Sequence, residues 1–144
     1  MATISTSYGS SPTSLTVTNL HSLATGSFWK SAAIDCSSNK PVWVQLQVKL
    51  VSDDSGAGSA TGYANVYLAA SADNSVYDAN ITAGEGAWSS TNPTTAVYAK
   101  SLRFVGRIPM ETTQTASYTW ASTFIIEFPP KYFCIVIELS LIHI

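Results

Sequence analysis

The chain has 144 residues and a formal net charge of −2, with seven Lys and Arg against nine Asp and Glu. Charged residues make up 11% of it, less than half of the ~25% usual in soluble domains. This balance gives no basic footprint for nucleic acid, and no apolar run reaches the ~18 residues that span a bilayer. We therefore predict neither a nucleic-acid partner nor a membrane partner.

The beginning of the chain carries no targeting signal that we recognise. It lacks a basic region followed by an apolar core, which predicts synthesis in a cytoplasm without secretion. Residues 1–13 are rich in Ser and Thr and poor in large apolar side chains, and they predict a flexible N-terminal arm. A chain of this length suits one domain, which we assign to 14–144.

The segments 14–20, 28–34 and 42–51 are the first predicted strands. The third is the clearest, because Val44, Leu46 and Val48 alternate with Trp43 and Gln45. A period of two indicates an extended strand with one buried face. The residues that follow, 52–59, are rich in Ser, Asp and Gly and predict a loop.

Further predicted strands lie at 62–70, 102–108, 118–128 and 131–139, with a long connection at 71–96. In 102–108 we place Leu102, Phe104 and Ile108 on one face, and Gly106 indicates a bulge or a close backbone approach. No segment repeats at the helical period of 3.6 residues. The sequence predicts an all-β, antiparallel β-sandwich of about six to eight strands with a jelly-roll-like arrangement.

The end of the chain is apolar on both faces of its predicted strand. From Phe133 to Ile144 it holds one residue that is charged at pH 7, Glu138. Such a strand is expected at the centre of a sheet, because at an edge it would promote aggregation. Two interpretations of residues 139–144 stay open: a truncated reading frame, or a genuine apolar tail.

The residues that usually carry catalysis are scarce. His21 has no neighbouring nucleophile or orienting acid, and no Gly-x-Ser-x-Gly or phosphate-binding motif occurs. Cys36, Cys134 and His21 together fall one ligand short of a zinc site. The two cysteines could form a disulfide or remain as buried thiols. The reducing conditions of a cytoplasm favour the thiols. We predict no enzyme activity, no catalytic residue, no metal and no cofactor.

Two groups of acidic residues were weighed as sites. Asp53-Asp54 and the pair Asp73 and Asp78 supply oxygen atoms for calcium, but they lack the spacing of a calcium loop and a closing Glu, and turn formation explains them. Glu127 and Glu138 lie on separate strands, and only a close approach of their carboxylates would make them a glycosidase pair.

Aromatic and arginine side chains are the better candidates for an interaction site. Trp43 lies on the polar face of its strand, and Tyr63 and Tyr67 share a face of theirs. Arg103 and Arg107 are predicted to share a strand face, roughly 13 Å apart at ~3.3 Å per residue. We take these five residues as a candidate interface with identical copies or other proteins. The alternative is a stacking platform for glycans.

Four segments, in this order, give the chain a resemblance to small β-sandwich virion proteins of tailed bacteriophages. They are Ser31–Asp35, Gly62–Tyr67, Leu102–Ile108 and Pro129–Lys131. The resemblance departs at Phe124–Phe128, where a more glycine-rich stretch is expected. It implies a non-enzymatic structural subunit in the virion, such as a capsid decoration or head- or tail-associated protein, which contacts identical copies and other virion proteins. A carbohydrate-binding β-sandwich is the alternative.

Overall fold

The computed structural model describes residues 3–8, 11–16, 26–51, 58–82, 84–88, 101–114 and 119–143. Within these ranges the chain forms twelve β-strands and one short 3-10 turn, Asp78–Asn80. Seven of the strands have six residues or more. In chain order the strands are β1 (Thr3–Tyr8), β2 (Ser11–Thr16), β3 (Phe28–Lys30), β4 (Ile34–Asp35), β5 (Trp43–Val51), β6 (Gly58–Ser71), β7 (Val76–Tyr77), β8 (Ile81–Thr82), β9 (Gly86–Trp88), β10 (Arg103–Gln114), β11 (Thr119–Glu127) and β12 (Tyr132–His143).

The strands form two main sheets and one small ribbon. Sheet A has the order β11-β5-β1-β2, and sheet B has the order β10-β6-β12-β3-β9, with β4 also paired to β12. Strands β7 and β8 form the ribbon, and every described pair is antiparallel. The predicted all-β, antiparallel, sandwich-like fold is confirmed. The jelly-roll-like arrangement stays a prediction.

The main core lies between the two sheets. From sheet A, the alternate residues of β5 point inward, and Val44, Leu46 and Val48 are fully buried, as the period of two predicts. They join buried residues of sheet B that include Val66 and Ile135 in one cluster. Burial of these apolar side chains holds the sheets together.

The outer face of sheet B has a cover of its own along part of its width. Tyr77, Ile81 and Trp88, from the segment 72–88, pack with Cys134 and Val136 in a second apolar cluster. We call the segment 72–88 the excursion. From Phe133 to Ile137, strand β12 is therefore buried on both faces between β6 and β3, as its apolar sequence predicts.

Lys30 attaches the excursion to sheet B. Its Nζ donates hydrogen bonds to the backbone oxygens of Thr82, at 2.7 Å, and of Gly84. The side chain is buried, and this burial lowers the pKa of Lys30. A buried ammonium is tolerated because carbonyl oxygens replace its water shell.

The structure differs from the sequence predictions for two segments, residues 1–13 and 28–34. Residues 1–13, predicted as a flexible arm, contain β1 and the start of β2, and β1 pairs with both β2 and β5. Extended Ser- and Thr-rich chain is compatible with such pairing. The predicted strand 28–34 is divided into β3 and β4, because Ser31 Oγ accepts the Ile135 N–H at 2.9 Å in place of a continuous ladder.

Strand β10 contains the bulge that Gly106 predicts. The register with β6 shifts between Phe104 and Gly106, so one extra residue reverses the alternation of faces. Phe104 was predicted to share a face with Ile108. It lies instead on the outer side, 54% exposed, whereas Ile108 is buried in the core.

Candidate interaction surfaces

One end of sheet A carries four exposed large apolar side chains. Val42 is 65% exposed, Trp43 56%, Ile125 65% and Phe128 76%. In the β5–β11 register Trp43 stands opposite Glu127 and Ile125 opposite Gln45, so Trp43 and Ile125 are diagonal neighbours on the outer face. The Phe128 N–H donates to Val42 O at 2.7 Å, so these two residues also lie next to each other. We call these four residues the end patch.

A cavity of about 360 Å³ lies beside the end patch, with Phe128 in its wall. Phe128 has a φ of 48° and Lys40 a φ of 39°, a conformation that bulky residues rarely adopt. The turn at Phe128 leads from β11 to Pro129-Pro130. The other lining residues are Cys36, Ser37, Lys40, Pro41, Pro129, Pro130 and Lys131.

The outer face of sheet B carries a hydrogen-bonded polar row outside the second apolar cluster. Arg107 stands opposite Asn65, and Asn65 opposite Glu138, across β10, β6 and β12. Arg107 Nε donates to Asn65 Oδ1 at 2.9 Å, and Asn65 Nδ2 donates to Glu138 Oε2 at 2.9 Å. The Tyr67 hydroxyl donates to the same Oε2 at 2.8 Å. Asn65, at 6% exposed, has both its donor and its acceptor engaged.

Three aromatic rings surround this row. The Arg107 guanidinium carbon lies 3.7 Å from the centroid of the Tyr63 ring, a cation–π contact. Phe104 meets Tyr67 edge to face, with centroids 5.7 Å apart. Burial first, and then the hydrogen bond to Glu138, raise the pKa of Tyr67 to about 12. We call the six residues Tyr63, Asn65, Tyr67, Phe104, Arg107 and Glu138 the polar-aromatic cluster.

The structure brings together three of the five predicted interface residues. Tyr63, Tyr67 and Arg107 belong to the polar-aromatic cluster. Trp43 lies on the outer face of sheet A, the opposite side of the sandwich, so it does not share a surface with the two tyrosines.

The prediction that Arg103 and Arg107 share a strand face is wrong. Arg103 stands opposite Leu68, and Arg107 opposite Asn65, and these two β6 residues point to opposite faces. The bulge between the arginines causes the difference. Arg103 Nη1 instead approaches Glu127 O, on β11, at 3.4 Å.

The acidic residues weighed as sites have other surroundings. Glu127 lies on the outer side of sheet A and Glu138 on the outer side of sheet B, so the two do not face each other. The pKa of Asp73 is lowered by hydrogen bonds, first from the Ser75 backbone N–H and then from the Ser75 hydroxyl, the Val76 N–H and the Ser71 hydroxyl. Asp78 accepts the Ala70 N–H.

Metal ligands are not grouped in the part of the chain that the structure describes: it has no group of three or more His, Cys, Asp or Glu placed to hold an ion. Cys36 and Cys134 are buried thiols and not a disulfide, and burial raises the pKa of Cys134 to about 12. His21 and Asp53-Asp54 lie outside the described residues.

Six residues of the two surfaces were not among the predicted interface residues. Asn65, Phe104 and Glu138 lie in the polar-aromatic cluster, and Val42, Ile125 and Phe128 lie in the end patch. The polar Asn65 between Tyr63 and Tyr67 was a signal for a face that is not apolar. Ile125 gave none, because Ile126 beside it is equally apolar and only one of the two is buried.

The comparisons with known proteins add no relative: no family model, no curated protein and no solved structure matches the chain. Among the described residues, no helix is long and apolar enough to cross a membrane.

Proposed function

We propose that this protein is a non-enzymatic structural subunit that works through protein–protein contacts, with the end patch as its interface. The observation that carries the proposal is the exposure of Val42, Trp43, Ile125 and Phe128 at one end of sheet A. Apolar and aromatic side chains grouped in this way are typical of interface centres. Because only 11% of the residues are charged, charge repulsion between copies of the chain does little to prevent contact through this patch.

A test compares patch variants with a matched surface variant. Trp43→Ala and Ile125→Ser should weaken self-association by ~2 kcal/mol or more, because both residues lie at the centre of the proposed contact. Val76→Ser is the control, since Val76 is 58% exposed but lies on the excursion. Light scattering after size exclusion measures the mass of each variant. Equal association of all three with the wild type would contradict the proposal.

We further propose that the assembly is the virion of a tailed bacteriophage, in which the protein serves as a capsid decoration or head- or tail-associated subunit and contacts identical copies and other virion proteins. Support comes from the ordered resemblance of four segments and from the β-sandwich-like fold. The test is the gene neighbourhood together with mass spectrometry of purified particles. Capsid, portal or tail genes next to this gene, and the protein in the particles, are expected. A neighbourhood of metabolic genes would contradict a virion role.

Carbohydrate binding is the second candidate function. The polar-aromatic cluster favours it, because it combines fixed hydrogen-bonding groups with an exposed aromatic ring on a surface separate from the end patch.

A further inference from the structure

We infer that the polar-aromatic cluster is a binding site for a neutral saccharide. This goes beyond the assembly function, which uses the end patch on the other sheet. It also assigns the carbohydrate alternative to particular residues: Glu138 and Arg107 bind hydroxyl groups, Phe104 packs against the sugar ring, and Asn65, Tyr63 and Tyr67 are positioning residues.

The hydrogen-bonding groups are fixed in place before a ligand arrives. Glu138 Oε2 accepts from both Tyr67 and Asn65, which leaves Oε1 as an acceptor that the described network does not use. Arg107 uses Nε for the bond to Asn65, and because the residue is exposed we assign its terminal amino groups as the donors to a ligand. A sugar hydroxyl both donates and accepts, so neighbouring hydroxyls match a carboxylate oxygen and a guanidinium on one face. Groups already held in place lose less entropy on binding.

The aromatic side chains have two different roles: Tyr63 orients Arg107, and Phe104 contacts the ligand. The Tyr63 ring holds the Arg107 guanidinium at 3.7 Å and limits its rotation. Phe104, 54% exposed, offers ring surface to the apolar C–H face of a pyranose. The Phe104–Tyr67 pair and the Arg107–Asn65 pair are adjacent same-face rows, about 7 Å apart at two residues along β6. One or two sugar rings span this distance.

The charges favour a neutral ligand. Glu138 would repel the carboxylate or sulfate of an acidic sugar and the phosphates of nucleic acid. The positive charge of Arg107 balances the negative charge of Glu138. Because the cluster holds one residue of each sign, hydroxyl-rich neutral rings fit it better than ions of either sign.

The test uses fluorescently labelled full-length protein on a printed array that holds neutral and acidic glycans, followed by calorimetric titration with the strongest neutral glycan. Phe104→Ala and Glu138→Gln should each weaken binding of that glycan by at least about tenfold, which corresponds to ~1.4 kcal/mol. Phe104 is exposed and Gln keeps the shape of Glu, so folding of both variants is expected and is checked by thermal unfolding. Val76→Ala is the matched surface control and should bind like the wild type.

Trp43→Ala separates this inference from the proposed function, since it should reduce association and leave glycan affinity per subunit unchanged. An array without neutral glycans among its hits would overturn the inference. So would neutral-glycan binding that Phe104→Ala and Glu138→Gln do not weaken. If these two variants instead lower the oligomeric mass, the face contacts protein and the inference is wrong.

Discussion

At the scale of single residues, Gly106 occupies a position that has no room for a side chain. A Cβ added there would lie 2.7 Å from Phe124 Cδ1 and closer still to Cε1, and Phe124 packs against the main core from β11. Gly106→Ala should therefore lower the free energy of unfolding by ~1–3 kcal/mol, because the ring must leave its place. Urea unfolding measures the change.

The double variant Gly106→Ala, Phe124→Leu is the control for this prediction. Because the smaller side chain makes room for the added methyl group, Gly106→Ala should cost less in the Phe124→Leu background than in the wild type. An equal cost in both backgrounds would show that the ring of Phe124 is not what excludes a side chain at 106.

Tyr67 allows a prediction on pH. Its pKa is raised from 10.0 to about 12 in the folded protein, so the native state holds this proton more tightly than the unfolded state does. The stability that follows is present in full below pH 10 and is lost as the pH rises from about 10 to about 12. Wild type should lose more stability across this window than Tyr67→Phe. Denaturant unfolding at a series of pH values measures this, and parallel curves for the two proteins would contradict it.

At the scale of structural elements, the excursion 72–88 is the feature whose energetic role can be tested most directly. It buries Val136 of β12 in the second apolar cluster, whereas Val76, within the excursion itself, is 58% exposed. Val136→Ala should lower the free energy of unfolding by about 2 kcal/mol, since two buried methyl groups are lost. Val76→Ala should change it by less than ~0.5 kcal/mol. Equal effects in thermal or urea unfolding would mean that the excursion does not cover β12.

The elements also show how far sequence reasoning reaches. Strand β5 was predictable because its inward residues are buried and its outward residues exposed, so the sequence itself alternates. Strand β10 was predicted with the wrong face for Phe104, because a bulge adds one residue and the alternation on either side of it no longer matches. The Ile125-Ile126 pair shows the same limit, since two adjacent apolar residues do not indicate which faces the core. Contacts between distant segments, such as Lys30 with Thr82 or Asn65 with Glu138, have no local signal at all.

At the scale of the whole molecule, the sandwich presents two surfaces with different physics on opposite sides. The end patch is apolar and has Glu127 as the charged cross-strand neighbour of Trp43. The polar-aromatic cluster has one Arg and one Glu within a hydrogen-bonded row. Association through the first surface leaves the second open to solvent. The proposed assembly through the end patch therefore leaves the proposed saccharide site accessible.

The low charge predicts how such an assembly responds to salt. Burial of an apolar patch is not screened by ions, whereas contacts between exposed charges weaken strongly when the Debye length falls to ~3 Å at about 1 M salt. Permanent interfaces commonly bury about 2,000 Å² or more. We therefore expect oligomers that persist at micromolar concentration and keep one discrete mass from about 0.05 to 1 M sodium chloride.

Light scattering after size exclusion distinguishes this outcome from the others. Association through exposed edge strands would give a broad distribution that grows with concentration, and association through charges would give a mass that falls with salt. Closed symmetry around the end patch gives a single mass, and Ile125→Ser should reduce it while Val76→Ser leaves it unchanged. A stable monomer of the wild type at high concentration would contradict self-association through the end patch, because the patch would then lie open to water without a partner copy.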